Sequence, residues 1–232
     1  MNLYIGVSGY SYREWKGKFY PKDLPANDML RFCGEHFQAV EINSTFYHLP
    51  NASTLEAWKE AVPAGFKFAL KAPRRITHLK RLKDAGDSLP KFLEVASTLA
   101  RRRGPLLFQL PPNSKKDAPR LRDFLAMLPS QLRTAFEFRH PSWFDDEIFA
   151  LLGEDRAALC IADADGDLET PFLPSAEWGY LRLRRPDYCP AKLKAWIKRI
   201  RETGWRDAYV FFKHDDEGNA PRLAKRFMEL AG

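Results

Sequence analysis

Cysteine is scarce in this chain. Cys33, Cys160 and Cys189 are odd in number, widely spaced and form no CxxC. That excludes a disulfide framework and a zinc ribbon, and it points to a reduced, cytoplasmic protein. Long apolar runs are also missing. Met1-Asn2-Leu3-Tyr4-Ile5-Gly6 enters a strand pattern at once, without the basic start and apolar stretch of a signal peptide. No run reaches membrane-spanning length, so no membrane partner is expected. No G-x-G-x-x-G or P-loop follows any strand, and neither HExxH nor HxH occurs. The sequence therefore assigns no metal ligands and requires no cofactor. Pro/Gly/Ser-rich linkers, internal repeats and low-complexity segments are absent too, which leaves residues 1–232 to be read as a single domain.

Charge is present in excess of one sign. Lys plus Arg minus Asp plus Glu is 37 − 30 = +7, which favours anionic partners. Hydrophobic residues make up 45%, ample for a large core.

Eight short apolar runs recur at even spacing: Leu3 to Ser8, Ala39 to Asn43, Phe66 to Lys71, Leu106 to Leu110, Thr134 to Phe138, Ala157 to Ala162, Trp178 to Leu183 and Ala208 to Lys213. Helical patterns lie between them. One spans about Asp28 to Phe37. One is opened by Ser53 with Glu56 completing a capping box, and one spans about Ser88 to Arg102. Another is capped by Asp117 with Pro119 in its first turn, and a fifth buries Leu193, Trp196, Ile197 and Ile200. A last helix runs from about Ala220 to Leu230. Alternating strands and helices predict parallel βαβ units, and the missing dinucleotide motif favours a TIM-type (β/α)₈ barrel over an open doubly wound sheet. Asp163 to Ala176 contains Pro171 and Pro174, so a loop is expected in place of the sixth helix.

Ligand sites in such barrels lie at the C-terminal strand ends. That rim reads Ser8 and Tyr10; Glu41, Asn43 and Tyr47; Lys71; Gln109; Glu137, Arg139, His140 and Trp143; Asp163; Arg182 and Arg184; Lys213 and His214. Seven of the eight ends carry an ionisable or amide group within an apolar run, a concentration that indicates a pocket. Glu137 and Arg139 share one face of the fifth strand and need each other or a ligand.

Several motifs resemble those of the YecE-like proteins, whose shared region is called domain of unknown function 72. They are Glu41-Ile-Asn-Ser-Thr-Phe-Tyr47, Phe68-Ala-Leu-Lys-Ala-Pro73 with Ile76-Thr-His78, Leu107-Phe-Gln-Leu-Pro-Pro112, Glu137-Phe-Arg-His-Pro-Ser-Trp-Phe144 and Phe211-Phe-Lys-His-Asp215. The resemblance runs nearly end to end and implies the same barrel. It implies no activity.

Function is then weighed on the rim. Lys71, Arg139, Arg182 and Lys213 supply positive charge for a small phosphate- or carboxylate-bearing ligand, with Tyr10, Asn43, Tyr47, Gln109, Trp143 and His214 as further contacts. Glu137, Glu41, His140 and Asp163 are the candidates for acid–base catalysis in a hydrolase, isomerase or lyase. A base beside cations stays ionised but is weakened. The same acids with His140 could hold a divalent metal, which the surrounding cations oppose. Carboxylates with aromatic residues also suit a sugar hydrolase, although Gln109 and Arg182 stand where many barrel glycosidases keep their acids. A different class is nucleic-acid or nucleotide binding through 71–83, where Lys71, Arg74, Arg75, Lys80, Arg81 and Lys83 occur without an acid. Oligomeric state is not legible.

Overall fold

The structure, a computed structural model, describes residues 1–166, 168–213 and 218–232. Its strands are β1 (Asn2–Ser8), β2 (Ala39–Ile42), β3 (Lys67–Lys71), β4 (Arg103–Gln109), β5 (Thr134–Glu137), β6 (Ala158–Asp163), β7 (Trp178–Leu183) and β8 (Asp207–Phe212). All pair in parallel and in chain order into a closed barrel, with β8 returning to β1 from Asn2↔Asp207 to Val7↔Phe212. The helices are α1 (Met29–His36), α2 (Ala52–Ala61), α3 (Leu89–Ser97), α4 (Ala118–Ala126), α5 (Asp146–Glu154), α6 (Pro190–Arg201) and α7 (Asn219–Ala231). None is long and apolar enough to cross a membrane among the described residues.

Period-two alternation divides the sheet into two faces. One face packs Val7, Val40, Phe68, Leu70, Phe108, Phe136 and Phe212 against the helices. The other forms a separate interior cluster in which Ala39, Ala69, Ala135 and Ala158 face the large rings of Trp178, Tyr180, Tyr209 and Phe211. Small side chains from the early strands thus make room for bulky ones from β7 and β8. Gly6 belongs to this close packing: a Cβ there would lie 1.8 Å from the Ala39 carbonyl oxygen. Glycine is what lets β1 approach β2.

Local departures from the sequence expectation have physical causes. β4 begins at Arg103, earlier than Leu106: the register runs from Phe68↔Arg103 to Leu70↔Leu106, so a bulge of one extra residue in β4 carries Gly104 and Pro105 along the ladder. The helix expected to reach Arg102 ends at Ser97, and Ala100 takes a left-handed φ of 46° as the chain turns into β4. Between β6 and β7 no helix intervenes among the described residues. Ser175 instead pins that segment, receiving the Leu159 amide at 2.8 Å and donating to the Ala157 carbonyl at 2.9 Å.

Asp117 caps α4 as expected, accepting from the Arg120 amide at 3.0 Å. α2 differs: its cap is Asn51, which accepts from the Thr54 amide at 2.8 Å, while Glu56 pairs with Lys59. Asn51→Ala is expected to lower stability by about 1 kcal/mol. In thermal denaturation that is about 2–4 °C for a chain of this size. Ser53→Ala should cost less, and equal effects would remove Asn51 from the cap.

Candidate functional site

The interior face of the barrel ends at its C-terminal mouth in a layer of polar side chains that would be expensive to bury unpaired. Arg182, on the interior parity of β7, is its hub. Nη1 donates to Glu137 Oε2 at 2.6 Å, and Nη2 donates to Glu41 Oε1 at 2.8 Å. The three side chains are 0–2% exposed. Gln109 Nε2 donates to Glu137 Oε2 at 2.8 Å and Arg139 Nε to Glu137 Oε1 at 3.1 Å. Tyr180 donates its hydroxyl to Glu41 Oε2 at 2.6 Å, and Ser8 donates to Glu41 Oε1. Asn43 completes the net by donating to Ser8 Oγ at 2.9 Å.

These contacts decide the charge states. Burial alone would push Glu137 up, but Arg182 and Arg139 with the Gln109 amide outweigh it and hold the carboxyl far below its usual range. Glu41 is likewise lowered: burial opposes, and Arg182 with the Ser8 and Tyr180 hydroxyls prevails. Both acids are therefore ionised, fully engaged acceptors and poor proton acceptors. A guanidinium fills the space between them, where a glycosidase leaves room for sugar and water. Among the described residues no three His, Cys, Asp or Glu side chains converge to hold a metal ion.

Above this layer lies uncompensated positive charge. Lys71 ends β3 with Nζ 4.2 Å from the centroid of the Phe46 ring. Burial, reinforced by Arg182, lowers its pKa to about 8 against the attraction of Glu137 and Glu41. Arg184, just beyond β7, is lowered by burial and by Arg182 and Arg139, with Glu137 pulling the other way. Neither Lys71 nor Arg184 has a carboxylate partner among the described residues.

His78 also reaches the mouth. The chain after β3 makes one turn of π-helix over Arg75–Leu79, closed by the Lys80 amide on the Arg75 carbonyl at 3.0 Å. This sets the His78 ring 4.7 Å from Phe46, on edge. Burial first, then Lys71, Arg139 and Arg74, lower His78 to about 4, so it is neutral at physiological pH. Two cavities open here. One of about 320 Å³ is lined by Gly9, Tyr10, Tyr12, Asn43 and Ser44. The other, of about 160 Å³, is lined by Glu137, Arg139, Ala162, Ala164 and Arg184. A larger cleft of about 760 Å³ between Tyr47, Pro73 and α3 shares none of the mouth's cations.

The structure thus gathers Glu41, Asn43, Lys71, Gln109, Glu137, Arg139 and Arg182 into one site, with Tyr10 beside it. Tyr47 stands 70% exposed on the outer rim. Lys213 follows β8, its amide bonded to the Leu183 carbonyl at 3.0 Å. His214 lies outside the described residues. Three rim residues serve elsewhere. Trp143 is buried on the helix side of β5, stacked on Phe138 at 4.5 Å with its indole N–H on the Ser114 carbonyl at 2.7 Å. His140 Nδ1 accepts from the Ser142 amide at 3.2 Å and caps the 141–143 turn. Asp163 binds Arg185 Nε at 2.5 Å and the Tyr188 hydroxyl at 2.8 Å, tying β6 to the loop after β7. His78 and Tyr180, absent from the rim read in sequence, belong to the site.

Comparison with known proteins places this architecture. The profile of the family described as "Protein of unknown function DUF72" matches residues 4–232. UPF0759 protein YecE of Escherichia coli K12 is 32% identical over 61% of this chain and 50% of its own length. The chain thus spans about half the length of that relative. UPF0759 protein YunF of Bacillus subtilis is 25% identical over 98% of this chain and 94% of its own. The crystal structure of a DUF72 family protein of Thermotoga maritima superimposes with a TM-score of 0.88, at 25% identity over 99% of both chains.

Proposed function

The chain belongs to the DUF72 family of YecE- and YunF-like proteins, and from that premise we propose that its barrel mouth binds a small anion bearing a phosphate or carboxylate. One observation carries the reading: Lys71 and Arg184 are partly buried, face the mouth and lack a carboxylate partner among the described residues. Unpaired, partly buried cations cost stability, and an anion bound beside either would relieve that cost. The ionised pair Glu41 and Glu137 serves to fix Arg182 and Arg139 rather than to accept protons, which leaves the neutral His78 as the acid–base group of the mouth.

Binding is expected to raise the melting temperature through mass action, by about 2.7 kcal/mol of stabilisation at a hundredfold excess over Kd. A thermal-shift series with inorganic phosphate, sugar phosphates and small carboxylates should show it, with the matching neutral sugars and amides giving none. Equal shifts for charged and neutral members would remove the anion reading.

Nucleic-acid binding is the second reading. It rests on the exposed Arg74, Arg75, Lys80 and Lys83 and the half-buried Arg81, which are without ion pairs among the described residues. Stabilisation by oligonucleotides alone, falling steeply with salt, would favour it.

A further inference from the structure

Two features of Lys71 go beyond attraction for an anion. It is a partly buried lysine with no hydrogen-bond or ion-pair acceptor among the described residues, and it rests on an aromatic ring. Lys67, four residues earlier on the same face of β3, does have an acceptor, donating to the Arg101 carbonyl at 2.6 Å. A lysine that serves structure finds such a partner. A lysine held among cations over an apolar surface is in the environment that turns an ammonium into a nucleophilic amine.

The surroundings hold that amine in place. Thr45 Oγ1 donates to the Lys71 carbonyl at 2.7 Å and to the Ile42 carbonyl at 3.1 Å, clamping the end of β3 to the end of β2. Phe46 follows directly and supplies the ring beneath Nζ. His78 meets the same ring, and its Nδ1 is engaged by Thr77 Oγ1 at 2.9 Å, which leaves Nε2 for proton transfer. Arg139, 30% exposed and near enough to act on the Lys71 ammonium, stands ready to hold an anionic group beside the amine.

We propose that Lys71 forms an imine with a carbonyl group carried by the bound anion, so that the ligand class is a 2-oxo acid or a phosphorylated aldehyde or ketone. The inference rests on the anion-binding reading and names the chemistry of that site. The neutral amine attacks the carbonyl carbon, a C–N bond forms, and the carbonyl oxygen takes a proton as the nitrogen loses one. The resulting hydroxyl then leaves as water on receiving a second proton, while the nitrogen lone pair closes the C=N bond and the nitrogen gives up its remaining proton, which replaces the one the hydroxyl took. Amine plus carbonyl gives imine plus water, with no oxidant or reductant. His78, neutral at this pH, takes the proton the nitrogen releases and passes it to the departing hydroxyl. With a pKa of about 8, roughly a quarter of Lys71 is free amine at pH 7.5, against about a thousandth of an ordinary lysine.

The test is reductive trapping. The protein is incubated at pH 7.5 with pyruvate, glyoxylate, dihydroxyacetone phosphate or glyceraldehyde 3-phosphate and sodium cyanoborohydride, then subjected to intact-mass analysis and peptide mapping. With at least one compound, a single adduct of the carbonyl compound's mass less one oxygen is expected on Lys71. It should form roughly tenfold or more faster than at the exposed Lys80 and Lys83, and excess inorganic phosphate should suppress it. Lys71→Met, checked for folding by circular dichroism, should lose that adduct and keep slow surface labelling. If the variant does not fold, mapping of the wild type decides. Thermal shift with the same compounds separates the two claims. Stabilisation without preferential labelling of Lys71 overturns the imine and leaves anion binding standing; neither stabilisation nor labelling overturns both.

Discussion

Arg182→Ala is expected to lower the melting temperature at pH 7.5 by about 6–20 °C. Arg182 is the sole side chain bonded to both Glu41 and Glu137 among the described residues, at 2.8 and 2.6 Å. Removing one partner of a buried pair costs about 3–5 kcal/mol, and here Glu41 loses its ion-pair partner while Glu137 keeps only Arg139. At about 2–4 °C per kcal/mol for this chain length, that gives the stated drop. The pH dependence should invert. In the native protein both carboxyls titrate below their unfolded value of about 4.3, so their contribution is present above that pH and lost as pH falls through the folded values. Without Arg182, burial raises Glu41 instead, while Arg139 still holds Glu137 down, and at Glu41 the folded variant binds more protons than the unfolded chain. The variant should therefore melt higher at pH 5 than at pH 7.5. Arg182→Met combined with Glu41→Gln and Glu137→Gln should recover most of the loss. A drop under about 2 °C at both pH values would show that the triad does not organise the mouth.

The role of Arg182 marks the limit of what the sequence discloses. Period-two alternation and a polar residue at each strand end suffice to locate the rim, because barrel topology brings those ends together. Which rim residues bond to which is another matter. Arg182 reaches Glu137 across 45 positions and Glu41 across 141, and no local pattern encodes a contact at that separation. Tyr180 was hidden for the opposite reason: an aromatic in an apolar run reads as core, although its hydroxyl binds Glu41. His78 sits in a basic stretch that reads as a solvated loop, and one turn of π-helix redirects it to the mouth. Trp143 read as a rim aromatic, yet the turn after Pro141 folds it back onto Phe138. α5 left a usable signal in the spacing of Ile148, Leu151 and Leu152. The early start of β4 left none, since Gly104 and Pro105 argue against a strand until the bulge they form is known.

Lys71→Met and Arg184→Met should each raise the stability of the ligand-free protein while weakening its hold on anions. Methionine keeps much of the side-chain volume and removes a poorly solvated charge. Allowing for the partial exposure of both groups, the gain is on the order of 1 kcal/mol, or about 2–4 °C. A hydrogen bond to a charged group contributes about 1.5–3 kcal/mol, so each variant should lose roughly 10- to 100-fold in affinity for phosphate or a small carboxylate, read by calorimetry. The two variants separate by pH. The folded pKa of Lys71, about 8, lies below its unfolded value of about 10.4. Its penalty is therefore present in full below pH 8 and fades as pH rises towards 10.4, where folded and unfolded states are both neutral. The stability advantage of Lys71→Met should shrink between pH 8 and 10, whereas that of Arg184→Met should persist, because a guanidinium does not titrate there. Groups retained at a cost to the empty fold are groups retained for what they bind. Loss of stability in both variants with unchanged anion affinity would instead make Lys71 and Arg184 structural and move the ligand away from the mouth.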